Sequence, residues 1–357
     1  MDKVYKQLAR HLDEIPNGFP ATESGVELKL LAKLFSPEEA ELACRLSLEP
    51  QAANTIAGQT GRDERQTFVA LKGMVRKGLI EAERGEGSLS FKLIPFIVGF
   101  YEHQNARIDE AFARLFEDYY HEALHKMMTM KPSVHRVIPV EKSIPFNIEV
   151  MPYERASVYI ENAKAWGVLN CICRVQRRLI GKGCDHSLEN CLVFSSRAGA
   201  FDRTEAIRAI GKEEALDILT QTDKEGLVHS TSNVQQGVTY ICNCCICCCG
   251  VMRGVAEYGS LNAIARSDFL AAVDEDACIG CGICVDRCQF KAITIDDGIA
   301  AIDKARCFGC GLCVTACADE ALHLTQKTAA ETEPPPLNES EWRKQRAKAR
   351  KRGKSSS

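Results

Sequence analysis

The stretch Cys278-Ile-Gly-Cys281-Gly-Ile-Cys284-Val-Asp-Arg-Cys288 decides how the rest of the chain is read. Its spacing is C-x2-C-x2-C-x3-C, and Cys307-Phe-Gly-Cys310-Gly-Leu-Cys313-Val-Thr-Ala-Cys317 repeats it 29 positions later. The chain therefore carries an internal duplication. Three thiols on so tight a loop can converge on one object. Gly280, Gly282, Gly309 and Gly311 let the backbone wrap closely and turn its amides toward sulfur. The short runs "AITI" with "AAI", and "AAV" with "LHL", predict two small hairpins around the loops.

Working outward, the chain holds nineteen cysteines in 357 residues, and eighteen of them fall between Cys171 and Cys317. The N-terminus carries charges and no apolar core of the secretory kind, so the expected location is the cytoplasm. Thiols there stay reduced, and a reduced, clustered set is best explained by metal. No run of eighteen apolar residues exists, so no membrane span is expected. The lone Cys44 lies in an apolar helical stretch and reads as a small core residue.

The duplicated motif resembles the bacterial-type two-cluster ferredoxin family over residues 270–326. The resemblance implies two 4Fe-4S clusters with crossed ligands, the fourth cysteine of each motif serving the other cluster. One cluster then takes Cys278, Cys281, Cys284 and Cys317, and the other takes Cys307, Cys310, Cys313 and Cys288. The family usually has proline after the fourth cysteine. Gln289 and Ala318 stand there instead, which restores a backbone donor near each cluster. Two zinc sites are the competing reading, although zinc favours paired C-x2-C ligands over four closely spaced cysteines.

Ten cysteines remain: Cys171, Cys173, Cys184 and Cys191, then Cys242, Cys244, Cys245, Cys247, Cys248 and Cys249 in "ICNCCICCCG". Six neighbouring thiols gain nothing in water and invite oxidation, whereas bound to iron they make sense. If the segment is extended, Cys242, Cys244 and Cys248 face one way and Cys245, Cys247 and Cys249 the other. The expectation is one or two additional Fe-S clusters, one fed by Cys171, Cys173, Cys184 and Cys191, another by residues 242–249, with sharing of ligands open. Zinc and metal-free thiols are the alternatives. Arg174, Arg177 and Arg178 are placed to offset cluster charge, and His186 and His229 are minor candidate ligands. The whole block resembles 4Fe-4S proteins of anaerobic bacteria over residues 135–325. That implies electron-transfer chemistry without naming a substrate.

Upstream, residues 38–93 read as helix, turn, helix, wing. Ser36 and Asp63 are N-caps, Phe68, Leu71, Met74, Val75 and Leu79 are spaced helically, and a hairpin turns at Gly85-Glu86-Gly87. This resembles the winged helix-turn-helix family. A long helix follows at 105–130 with Ile108, Phe112, Leu115, Phe116 and Tyr119 as its apolar stripe. It contains His121-Glu-Ala-Leu-His125, which matches the H-E-x-x-H zinc pattern, but both histidines fall opposite the stripe. "PYERASVYIENAKAWGVL" reads as a helix leading to Cys171. From Arg343 onward eight Lys or Arg residues carry no acid among them, although the whole chain has net charge −3. The rest of the molecule is thus markedly acidic, and the tail reads as disordered.

The sequence therefore predicts an α+β multidomain protein. Its parts are a winged-helix N-terminal domain (1–104), a long helix and connector (105–150), a helical cysteine-rich middle domain (151–267), a ferredoxin-like dicluster domain (268–326) and a disordered basic tail (327–357). No nucleophile triad, phosphate loop or dinucleotide fingerprint is visible, so electrons come from a redox protein, an oxidoreductase partner or a mediator. Three functions compete: an electron carrier, a redox-sensing DNA-binding regulator reading DNA with Arg65, Lys72, Arg76 and Lys77, and a reductase subunit with a catalytic cluster at 242–249. Glu64, Glu81, Glu83 and Glu86 flank the reading helix and weigh against nucleic acid as a partner.

Overall fold

The computed structural model describes residues 3–84, 89–146, 150–202, 204 and 206–354. The chain forms two compact units, residues 1–127 with 179–181, and residues 128–178 with 182–357.

In the first unit, helices α1 (Lys3–Glu14), α2 (Val26–Leu34), α3 (Pro37–Ala43), α4 (Ala53–Thr60) and α5 (Glu64–Arg76) surround a small sheet. Its strands β1 (Gln51–Ala52), β2 (Ile80–Arg84) and β3 (Leu89–Leu93) lie in the order β1-β3-β2. The helix starts follow from capping. Ser36 accepts from the Glu39 N–H while the Glu39 side chain accepts from the Ser36 N–H, and Asp63 accepts from the Gln66 N–H. The expected turn at Gly85-Glu86-Gly87 lies outside the described residues. Helix α6 (Glu110–Tyr119) runs on through a π-helical turn to α7 (His125–Met128). Phe112, Phe116 and Tyr119 are buried, and Phe116 stacks on Tyr101 at 4.1 Å. This packing carries the first unit past residue 104, where the sequence suggested a boundary.

The second unit corrects the expectation of a helical middle domain. It is built on a seven-stranded sheet in the order β10-β4-β8-β9-β6-β5-β7. The strands are β4 (His135–Val137), β5 (Ala165–Asn170), β6 (Glu189–Ser195), β7 (Arg208–Ile210), β8 (Val228–Ser232), β9 (Tyr240–Cys244) and β10 (Ile264–Ala265). Among the described residues only β10 and β4 pair in parallel. The segment taken as one helix breaks in two: α8 (Ala156–Asn162) ends, and "AWGVLN" becomes β5. Gly167 explains the strand, because Ile207, Val193 and Phe201 occupy the space a Cβ would need. Helices α9 (Ile172–Leu179), α10 (Lys212–Lys224) and α11 (Gly250–Tyr258) join the strands.

The dicluster region then folds as the sequence suggests. Strands β11 (Phe269–Val273) and β14 (Leu322–Gln326) pair, as do β12 (Ile293–Asp296) and β13 (Ile299–Ile302). Short helices α12 (Ile283–Arg287) and α13 (Leu312–Ala316) follow the two cysteine loops. The tail is not disordered. Helix α14 (Glu339–Lys354) buries Trp342 to 3 % exposure, and its indole N–H donates to the Ser133 carbonyl at 2.9 Å. Arg346 is buried beside it and donates to the Pro132 carbonyl at 2.7 Å. A basic run read by charge alone conceals that the side chains four residues apart, Trp342 and Arg346, share one packed face.

Two outcomes follow. Trp342→Ala should destabilise the protein by about 3–5 kcal/mol, seen in urea unfolding followed by circular dichroism, and should expose the tail to proteolysis. His135 is buried with neither ring nitrogen hydrogen-bonded, and burial pushes its pKa down to about 4. The unfolded chain therefore takes up that proton first. Stability from neutral His135 is complete above about pH 6.5 and is lost as pH falls toward 4. His135→Phe should remove about 3 kcal/mol of pH dependence across that window, measured as the difference between variant and wild-type stability at each pH.

Candidate metal centres

The two duplicated loops each shape a small cavity. The first is lined by Cys278, Cys281, Cys284 and Cys317, the second by Cys288, Cys307, Cys310 and Cys313. Each lining joins three cysteines of one motif to the fourth of the other, because each short helix carries the chain from one cavity to the other. Backbone amides point at sulfur: Ala300 N–H at Cys278 (3.4 Å), Ala292 N–H at Cys288 (3.3 Å) and Ala271 N–H at Cys307 (3.5 Å). Such donors stabilise thiolates and tune a bound cluster. The glycines are required at close approaches. A Cβ on Gly280 would collide with the Gly298 carbonyl, and one on Gly309 with the Phe269 carbonyl and the Ser267 hydroxyl.

The cavities differ in setting. Around the first, Ile279 and Ile283 are 69 % and 49 % exposed and Cys281 is exposed. Around the second, Cys307 and Cys313 are buried, and burial pushes the Cys313 thiol up to about 12 and the Cys310 thiol well up. Phe290 stacks on Phe308 at 4.1 Å beside it, and the Val140 N–H donates to the Cys310 carbonyl at 2.9 Å.

A third group lies elsewhere. Cys184, Cys245, Cys247 and Cys248 bring their sulfurs within 4.8 Å of one another. Cys184 is 3.8 Å from Cys245 and 3.6 Å from Cys248. Four sulfurs about 2.3 Å from one tetrahedral ion are about 3.8 Å apart, so this group fits a single ion better than a cubane. Cys184 is held there because Arg178 donates to its carbonyl and to that of His186. His186 Nδ1 lies 3.2 Å from the Cys184 sulfur, while His229 is turned away and bonded to Asn243 at 2.6 Å. The Cys245 thiol is held far below its usual range, first by hydrogen bonding from Cys247 and Cys248 and then by Arg174.

This overturns the expected split of the ten remaining cysteines. Cys184 does not sit with Cys171, Cys173 and Cys191, and Cys248 and Cys249 exchange sides. Strand β9 ends at Cys244 and the chain turns through Cys245–Cys248, so strict alternation fails there. The Cys44 thiol is pushed up to about 11 by burial, as an inert core thiol should be. His121 and His125 join no group of metal-ligand atoms among the described residues; His121 Nε2 lies 3.3 Å from Glu117 and His125 Nδ1 2.9 Å from the Tyr120 carbonyl.

Sequence reasoning noticed Gln289 only as a missing proline. Its Oε1 accepts from the Ile246 N–H at 2.7 Å and its amide NH₂ donates to the Gly226 carbonyl. It thereby ties Cys288 to the turn carrying Cys245 and Cys247. Arg287 donates to the Asp223 and Lys224 carbonyls, and the Thr315 hydroxyl donates to the Asp223 carboxylate at 2.8 Å. The C-terminus of α10 is thus bolted to the dicluster region.

A family described as a 4Fe-4S dicluster domain matches residues 277–331. Comparison with curated proteins and with solved structures gave no match. The dicluster domain implies two 4Fe-4S clusters, and the four-thiol group is a further cysteine site that could hold a metal. No helix among the described residues is long and apolar enough to cross a membrane.

Gly309→Ala places a methyl group against backbone at a φ of +67°. It should empty the second cavity and spare the first. Iron should fall by about four per chain, with one of the two reduced-cluster EPR signals lost and the other intact.

Proposed function

We propose that the protein is an iron–sulfur electron carrier that receives electrons from, or passes them to, an oxidoreductase partner. The observation carrying this reading is the serial arrangement of its centres. Beside the first cavity Cys281, Ile279 and Ile283 are exposed, in the second Cys307 and Cys313 are buried, and Gln289 joins the second to the four-thiol turn. In this reading Cys278, Cys281, Cys284 and Cys317 hold the outer cluster. Cys288, Cys307, Cys310 and Cys313 hold the inner one. The clusters supply one-electron chemistry when bound. The chain contributes thiolates, amide donors and exclusion of water at the inner site.

The partner's side is the outer cluster. Ile279, Ile283 and Ile295 form an apolar rim, ringed by exposed Asp274, Glu275, Asp276, Asp296, Asp297 and Asp319. An apolar centre within an acidic border suits a redox protein with a basic face. We read the N-terminal unit, with its strand order β1-β3-β2, as a winged-helix-like docking module. Some of its cations are spent on its own acids: Lys77 pairs with Glu39, Arg62 with Glu41, and Lys92 with Glu81 and Glu83. Lys77 caps the helix that would read DNA, and its pairing weighs against a phosphate-gripping surface.

The test is electron delivery by the chemically reduced chain to cytochrome c, a basic haem protein, under anaerobic conditions. The rate should fall with ionic strength. Asp276→Lys with Asp319→Lys should lower it about tenfold or more, with the EPR signals of both clusters unchanged. A chain with two intact, reducible clusters that passes electrons to no acceptor would sink this reading. Tight, sequence-selective retention of DNA in a gel shift would promote the regulator in its place.

A further inference from the structure

Besides Cys44, six cysteines lie outside the cavities and the four-thiol group, and the sheet gathers them. Cys171 directly follows β5, and its N–H donates to the Leu188 carbonyl at 2.8 Å. Leu169 is opposite Cys191, and the β6–β9 register of Leu192 opposite Ile241 sets Cys191 beside Cys242. Cys244 is two residues along the same strand, on the same face. Cys173 stands in the first turn of α9, and Cys249 immediately precedes α11. Helix N-termini favour thiolates at such positions.

The thiols form a closed ring. Cys171 interacts with Cys173 and Cys191, Cys173 with Cys249, Cys249 with Cys244, Cys244 with Cys242, and Cys242 with Cys191. Each meets chiefly its two neighbours. The six do not converge as the other four do, since among the described residues the group within a mutual 4.8 Å is Cys184, Cys245, Cys247 and Cys248. A single tetrahedral ion has no place for six ligands. Two ions sharing thiolates would need central sulfurs that touch most of the others, and the ring has none. What fits is an object that fills the middle with its own inorganic sulfide and takes thiolates around its edge.

We propose that Cys171, Cys173, Cys191, Cys242, Cys244 and Cys249 together bind one polynuclear iron–sulfur cluster, distinct from both ferredoxin-type clusters and from the four-thiol site. The inference deepens the electron-carrier reading, giving its buried end a cluster with more protein ligands than a cubane uses. Arg174 supports it. This guanidinium is fully buried and donates to the Asn243 carbonyl at 2.5 Å and to Asn190 at 2.9 Å. It lies in the field of Cys171 and Cys244 of the ring and of Cys245 of the four-thiol site. A buried cation with no carboxylate paired to it among the described residues needs anions, and thiolates on either side provide them.

The test uses the full chain purified without oxygen. Two 4Fe-4S clusters account for about eight iron and about eight acid-labile sulfide per chain. Sulfide is the discriminating readout, because a single ion at the four-thiol site brings none. The wild type should contain sulfide clearly above that level. Cys191→Ser with Cys242→Ser should return sulfide to about eight, with the EPR signals of the two ferredoxin-type clusters retained. Cys247→Ser should keep the excess sulfide and lose one metal ion. A wild-type chain with about eight sulfide, or with excess zinc and no excess sulfide, overturns the proposal, and that count depends on no variant folding. The electron-carrier reading fails separately, through a chain rich in sulfide that delivers no electrons.

Discussion

Strand β9 is hydrogen-bonded on both edges, and the cysteine-rich half of the protein depends on that. The pairing of Val228 with Cys244 and Ser230 with Cys242 fixes it against β8, and Leu192 opposite Ile241 fixes it against β6. Between the two cysteines, Asn243 is buried, donates to the Asn190 carbonyl at 2.5 Å and meets His229. A one-residue slip would turn Asn243 into the ring and both thiols away from it. Where the ladder ends the turn begins, and the next three thiols, at 245, 247 and 248, are thrown to the other site. The chain then re-enters a helix at Gly250, which returns Cys249 to the first. One decapeptide serves two centres because it is half strand and half turn.

Packing thiols this closely without water has an electrostatic consequence. In the ring, the Cys171 thiol is held well below its usual range by its neighbours Cys173 and Cys191, and Cys244 falls to about 6 beside Cys242 and Cys249. Cys173, Cys191, Cys242 and Cys249 are pushed up in return. The two lowered thiols, Cys171 and Cys244, stand opposite one another in the ring, with two raised thiols between them on either side. A metal cluster replaces the thiol protons by charge it carries itself.

Legibility from sequence followed locality. The dicluster loops were readable because all their determinants lie within each eleven-residue motif: cysteine spacing and glycines whose positive φ is needed next to backbone. The caps at Ser36 and Asp63 were readable for the same reason. What was not readable depends on pairing between distant segments. "AKAWGVL" is a short apolar run, for which helix and strand cannot be told apart by periodicity. The grouping of Cys184 with the 245–248 turn spans more than sixty residues and is settled by sheet order. The tail was misread because eight cations outweighed one tryptophan in any compositional view, whereas burial is decided by one face of the helix.

The absent proline after Cys288 closes the argument. Proline there would make a rigid turn but could offer neither hydrogen bond that Gln289 makes. With Gln289, the residue that follows Cys288 at the second cavity accepts from the amide between Cys245 and Cys247. Ala318, the equivalent position in the second motif, is exposed and has no such side chain. The two motifs differ at this position, where the dicluster region meets the thiol turn. Gln289 holds the cavity lined by Cys288 in register with the turn carrying Cys245 and Cys247, a contact that proline could not make.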